Sequence, residues 1–308
     1  MTKKSGPLLL VAGATGTVGG AALRSLLAQG ARVRVLVRSK PDPSRFPDAE
    51  VVLGDLRDPA TLKEALNGVR AAFFASPHEP EEEPIAEGFV RACEGARARL
   101  VFVGVHADAE TRLGRAFRRF LFGRLLPHYA PKFRIAERAR MSGADPVVLM
   151  PTNFFQNDEL FRGELLDGRF VQPFLHPINR VDVRDIGEAA ARACLDASLP
   201  SGAYPLVGPE SLDGDACAAA WSNALGQPVS FDPDEHRFDT AVARELRAKK
   251  RADFLASYAA VRKLALPTRA QDLARTTALL GRAPTSYATY VRDTARLFRA
   301  HERFDRAM

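Results

Sequence analysis

Three glycines near the start of the chain, Gly13, Gly16 and Gly19 in the stretch GATGTVGG, stand at the spacing a backbone needs to wrap a phosphate. Glycine turns tightly and lets main-chain N–H groups approach an anion, and a helix opening directly afterwards adds the positive end of its dipole. Thr15, Thr17 and Val18 fill the intervening positions of this candidate pyrophosphate loop. A second group is cationic. About 20 residues beyond such a loop an NAD site places a carboxylate for the ribose diol, but this chain has Arg38, followed by Ser39 and Lys40. A guanidinium there pairs with a 2′-phosphate and stacks on adenine, which points to NADP(H); the other reading is an arginine that only solvates a strand end. The third group is His128 and Lys132, in HYAPKFRIAERARMSG. Histidine is a proton donor suited to neutral pH, yet His128 also reads as a helix-start residue after Pro127, and Lys132 as a solvated helix lysine.

These residues need a scaffold that brings loops to one edge of a sheet. Short apolar runs alternate with helical patterns, as in a parallel sheet wrapped by helices. Strands are expected over Pro7–Gly13, Ala31–Arg38, Ala49–Leu56, Val69–Pro77, Arg99–Val105 and Asp145–Pro151. Helices are expected over Thr17–Gly30, Pro59–Gly68 and Pro84–Ala96, and another carries Lys132. The fold class that follows is α/β, a doubly wound parallel sheet of the Rossmann kind with the glycine stretch as its first loop. Asp55 and Leu56, in GDLRD after the third strand, lie where an adenine ring would pass. The acidic run HEPEEEP, residues 78–84, reads as a solvated connection. Beyond Arg180 come a short strand, a helix beginning near Asp182–Asp185, then strand, loop, helix and strand to Phe231, and terminal helices broken at Pro267.

The chain has 308 residues and is 46% hydrophobic, enough for a large core. No apolar run approaches the roughly 20 residues that span a bilayer, and the short apolar start breaks at a glycine turn, so a cytoplasmic protein without a membrane partner is expected. Cys93, Cys194 and Cys217 are too few and too far apart for a disulfide framework or a zinc site, and no metal is expected. The net charge of +7 is concentrated late: residues 237–308 hold 16 Lys and Arg against 7 Asp and Glu. These cations are dispersed through alanine-rich helical sequence with no aromatic platform, so nucleic acid is not an expected partner.

In chain order, VAGATGTVGG, LVRS, GDLRD, FFASP, APKF with the later SG, PTNFFQN, VDVRDIGEAA and YPLVGPESL resemble the NmrA-like family of atypical short-chain dehydrogenases/reductases, over most of the sequence. The resemblance implies an NADP(H)-binding Rossmann domain, residues 1–152, and a smaller C-terminal α/β lid region with helices, residues 153–308. It adds Ala75, Ser76 and Pro77 to the cofactor site, gives Lys132 the nicotinamide ribose, and puts Pro151, Asn153 and Phe154 near the nicotinamide. In typical short-chain reductases a serine ending the fifth strand and a tyrosine four before the lysine hold the substrate oxygen. Gly104 and His128 stand at those positions, and Tyr129 is one residue off register. The implied activity is NADPH-dependent reduction of a small apolar carbonyl or quinone-like substrate, with the proton from His128 or water; Phe117, Phe120 and Phe122, in the basic, aromatic helical stretch before the lysine, read either as an apolar wall of the substrate pocket or as core. The alternative, from the family's other members, is a non-catalytic NADPH/NADP redox sensor that regulates a protein partner.

Overall fold

Runs of Leu, Val, Ala and Phe without polar interruption pair stably where both faces of a sheet are covered. In the computed structural model, which describes residues 6–76, 81–106, 120, 129–246 and 248–305, they form a seven-stranded parallel sheet. Its strands are β1 (Leu8–Ala12), β2 (Arg32–Val37), β3 (Glu50–Leu53), β4 (Val69–Phe74), β5 (Arg99–Val103), β6 (Val147–Pro151) and β10 (Gly202–Leu206), in the order β10-β6-β5-β4-β1-β2-β3. All of β1 and β6 is buried, whereas β3, at one edge, leaves Val51 and Leu53 exposed.

Alternation within a strand sends neighbours to opposite faces. Leu8, Leu10 and Ala12 join a cluster with Leu62, Ile85, Phe89 and Ile135, from α2 (Pro59–Ala65), α3 (Glu82–Ala96) and α4 (Ala130–Arg140). α1 (Thr17–Ala28) and α6 (Val183–Leu195) pack against each other, and α6 also packs on β4, β5 and β6. The order reverses between β1 and β4, so α1 leads away to one side and the chain after β4 to the other. In sheets of this class the crevice at that reversal, beyond the carboxyl ends of the strands, is where ligands bind.

The chain divides into two compact units. The first runs through Pro151 and takes in Val183–Leu206 and Ala278–Gly281, so α6 and β10, read from the sequence as parts of the C-terminal region, complete the main sheet and its cover. The second comprises Thr152–Asp182, Val207–Thr277 and the chain from Arg282. It contains β7 (Asn153–Phe154) and β11 (Ser211–Leu212), both paired with β9 (Ile178–Val181), and β8 (Arg169–Phe170) paired with β12 (Ser230–Phe231). Its helices include α7 (Gly214–Leu225), α8 (Glu235–Glu245), α9 (Ala248–Val261) and α11 (Tyr287–Asp305), around an aromatic core with Phe155, Phe170, Trp221, Tyr258 and Tyr287. Asp213 and Asp234 accept main-chain N–H bonds at the starts of α7 and α8, as helix-capping aspartates do. Among the described residues no helix is long and apolar enough to cross a membrane.

Candidate functional site

The glycine loop follows β1 at the sheet's reversal point. Gly13 has φ of +93°, and a Cβ on it would stand 3.1 Å from the Ala75 carbonyl oxygen at the end of β4. Gly16 N–H bonds to the Gly13 carbonyl at 3.0 Å, closing the turn. A Cβ on Gly19 would lie 2.1 Å from the Gly13 carbonyl oxygen, so only glycine permits this crossing of loop and helix. α1 starts at Gly16 with no side-chain cap and no acid in its first turn, unlike α2, which Asp58 caps. Its first N–H groups thus face outward without a built-in anion. Thr15, Gly16 and Thr17 are exposed, Gly13 and Val18 half-buried, and Gly19 buried. Across the loop, after Ala75, the hydroxyl of Ser76 is buried with no hydrogen-bond partner among the described residues. A cradle closed by glycines, a bare helix start and an orphaned hydroxyl fit a pyrophosphate.

β2 and β3 are parallel neighbours, with Val37 opposite Leu53, so their carboxyl ends bring Arg38, Ser39 and Lys40 beside Asp55 and Leu56. The three residues after β2 are exposed, while Leu56 packs against the main core. Asp55 accepts the Arg57 backbone N–H at 2.8 Å. That bond above all holds its carboxyl below the usual range; burial opposes it, and the Arg57 side chain and then the Arg38 charge add smaller lowering effects. Arg57 also reaches Glu81 at 3.3 Å. It stood inside the GDLRD motif and was passed over, although its charge joins that of Arg38 around Asp55.

Lys132 lies in the first turn of α4, 16% exposed, and its ammonium meets the Glu82 carboxylate at 2.6 Å. Glu82 is 4% exposed at the start of α3, where the helix dipole favours an anion. This corrects the reading of residues 78–84 as a solvated connection: its third glutamate is buried because the lysine receives it. Two further pairs strap the same helices, Arg134 to Glu83 at 2.8 Å and Arg138 to Glu94 at 3.0 Å. Gly104 follows β5, and a Cβ there would touch Ala136 of α4 at 3.6 Å and Val148 at 3.4 Å. Pro77, His128, Phe117 and Phe122 lie outside the described residues, and Phe120 is 68% exposed.

Pro151 is the last, buried residue of β6 in the first unit. Asn153 and Phe154 form β7 of the second unit, where a buried arginine organises them. Arg180 donates to the Phe154 carbonyl at 2.9 Å, to Asn153 Oδ1 at 3.2 Å and to Asp158 at 2.6 Å. Asn153 Nδ2 donates to Tyr258 Oη at 3.2 Å. Both ends of the Asn153 amide are therefore engaged within its own unit. Burial works most strongly against the Arg180 charge, but Asp158 together with Tyr287, Cys217 and Tyr258 outweighs it and holds the guanidinium well above its usual value. Among the described residues no group of His, Cys, Asp and Glu could hold a metal ion.

A seven-stranded doubly wound sheet with a glycine cradle at its reversal point defines a Rossmann-like α/β protein. More narrowly, residues 5–233 match the model of the NmrA-like family, and the chain belongs to that family. It is 28% identical over 232 residues, 73% of this chain and 76% of the relative, to an NAD(P)H azoreductase of Xenophilus azovorans. An NADPH-dependent quinone oxidoreductase of Escherichia coli in complex with NADPH superposes with a TM-score of 0.73 at 21% identity, over 92% of this chain and 98% of that one. NmrA, a negative transcriptional regulator in complex with NADP, superposes with 0.75 at 18%, over 96% and 97%. At these identities the two superpositions establish the fold.

Proposed function

We propose that this protein is an NADPH-dependent reductase of small, apolar, electron-poor substrates such as quinones and activated carbonyls. The observation that carries the reading is the cradle at the sheet's reversal point, with Arg38 exposed just beyond β2 and near enough to Asp55 to act on its carboxyl. The names of the azoreductase and the quinone oxidoreductase support the reaction class. Gly13, Gly16 and Gly19, with the N–H groups of Thr17 and Val18, hold the pyrophosphate. Arg38 and Lys40 bind the 2′-phosphate, and Ser39, Asp55 and Leu56 flank the adenosine. Ala75 and Ser76 line the floor beyond β4, where the family resemblance adds Pro77, and Lys132 donates to the nicotinamide ribose. By the family resemblance Pro151, Asn153 and Phe154 serve the nicotinamide end and residues 153–308 the substrate.

The bound dinucleotide supplies a hydride. With Gly104 where a serine would stand, this chain offers no hydroxyl from β5 to hold a substrate oxygen. That limits it to acceptors that need little help in polarisation, such as quinones, whose reduced oxygens take a proton from water or from His128. The test is calorimetric titration with NADPH and NADH, beside Arg38→Ala, followed by a panel of quinones, azo dyes and aldehydes. Preference for NADPH that disappears in the variant, with NADPH oxidation slowed in Lys132→Ala, is the expected result. Tight NADPH binding without oxidation across the panel would replace this reading by the redox sensor, and no binding of either nucleotide would remove both.

A further inference from the structure

We propose that Glu82 is a positioning residue that aims the Lys132 ammonium at the cofactor's nicotinamide ribose, an inference that rests on the NADP(H) reading above. In typical short-chain reductases the lysine has a tyrosine beside it, and here that neighbour is missing. A lysine side chain is long and rotamer-rich, and an unguided ammonium at 16% exposure would spread over several positions. Glu82 removes that freedom. Its carboxylate is nearly inaccessible, sits at the start of α3 where the helix dipole favours it, and takes one of the ammonium's N–H groups at 2.6 Å.

An ammonium carries three donors. Among the described residues Glu82 is the partner of Lys132 and takes one of them; a vicinal diol would engage the other two. The same two helices are also bridged further along by Arg134–Glu83 and Arg138–Glu94. The flanking Arg134–Glu83 pair is far more exposed, at 57% and 42%, against 16% and 5% for Lys132 and Glu82. Surface pairs contribute little, whereas a buried acceptor holds its donor in one geometry. The buried rung is the one that faces the carboxyl ends of the strands, since Glu82 opens the helix that follows β4.

The test compares two ligands by calorimetry on the full-length protein: NADPH, and 2′,5′-ADP, which has the adenosine half and the 2′-phosphate but no nicotinamide ribose. Glu82→Gln and Lys132→Met are each expected to bind NADPH about tenfold more weakly, the worth of one charge-assisted bond. Both should bind 2′,5′-ADP as the unsubstituted protein does. The double variant should be no weaker than Lys132→Met, and Glu82→Asp, which keeps the charge with a shorter reach, should fall between Gln and the native residue. Glu83→Gln should leave both affinities unchanged.

NADPH binding unaltered in Glu82→Gln would overturn the proposal, as would equal losses for the two ligands, or a Glu82 effect that persists in full without Lys132. Should Glu82→Gln not fold, native NADPH affinity in Glu82→Asp would overturn it equally. Failure of the unsubstituted protein to bind either ligand would instead remove the NADP(H) reading itself, and this proposal with it.

Discussion

Replacing Arg180 by methionine removes a charge from the centre of the second unit and keeps most of the side-chain volume. Arg180 and Asp158 are both fully buried and 2.6 Å apart, and the guanidinium lies over Phe174 at 4.9 Å and Tyr287 at 5.3 Å. Breaking a buried pair from one side costs about 3–5 kcal/mol, because the remaining charge is stranded. Asp158 would keep three neutral donors: Trp221 Nε1 at 3.2 Å, the Tyr287 hydroxyl and the Gln172 amide. The cost should therefore sit near the lower end, about 3 kcal/mol. Asp158→Asn should cost more, since a stranded guanidinium cannot shed its charge by losing a proton. Against a total of about 5–15 kcal/mol for a typical domain, either loss is large. The assay is urea unfolding followed by fluorescence of Trp221, the single tryptophan, which touches the pair itself. A free-energy difference below about 1 kcal/mol for Arg180→Met would refute the view that this pair holds the unit together. So would an Asp158→Asn variant more stable than Arg180→Met.

Burial pushes the thiols of Cys93, Cys194 and Cys217 up to about 12, so at neutral pH they stay protonated and enclosed. A maleimide should label none in the native protein and three after unfolding; rapid native labelling of any would contradict the packing. Glu83 and Glu94 are held below the usual glutamate range, foremost by the bonds from Arg134 and Arg138. Their folded-state proton affinity is thus lower than in the unfolded chain, and the stability they contribute is present above the usual value and lost as pH falls below it and through the lower folded-state value. The melting temperature should decline between about pH 5 and pH 3, and less steeply in Glu83→Gln/Glu94→Gln, each exposed pair being worth under about 1 kcal/mol. Calorimetric profiles that fall in parallel would contradict it. Gly19→Ala places a methyl 2.1 Å from the Gly13 carbonyl, which must open the cradle. NADPH should then bind at least about tenfold more weakly, and native affinity by titration would show that the cradle does not hold the phosphates.

The parts of this fold legible in the sequence are those whose cause is local. A central parallel strand is buried on both faces and so reads as an unbroken apolar run, as LLLVA and VRAAFF do. The glycine cradle was legible because Gly16 and Gly19 answer steric demands set by Gly13 within six residues, and Gly13 its own positive φ. β10 was recognised as a strand but not as a member of the main sheet. It sits at the sheet's edge beside β6 alone, where Pro205 is tolerated, and nothing within GAYPL names its neighbour. α10 (Ala270–Leu280) is one of the terminal helices expected beyond the break at Pro267.

Lys132 and Glu82 show where local reading ends. An acidic run between prolines has every compositional mark of a solvated loop, and the first two of its three consecutive glutamates differ in fate only through what meets them. Glu81 reaches an exposed arginine, whereas Glu82 is covered and meets a lysine 50 residues away. A buried carboxylate without a partner would cost several kcal/mol, so the lysine and the glutamate specify each other's positions. The motif around Lys132 points to a ligand but carries nothing that says what holds the ammonium when the usual tyrosine is absent. The register of α3 against α4 answers that question, and it is a tertiary property: strands β4 and β5 must first be paired for the two helices that follow them to lie side by side.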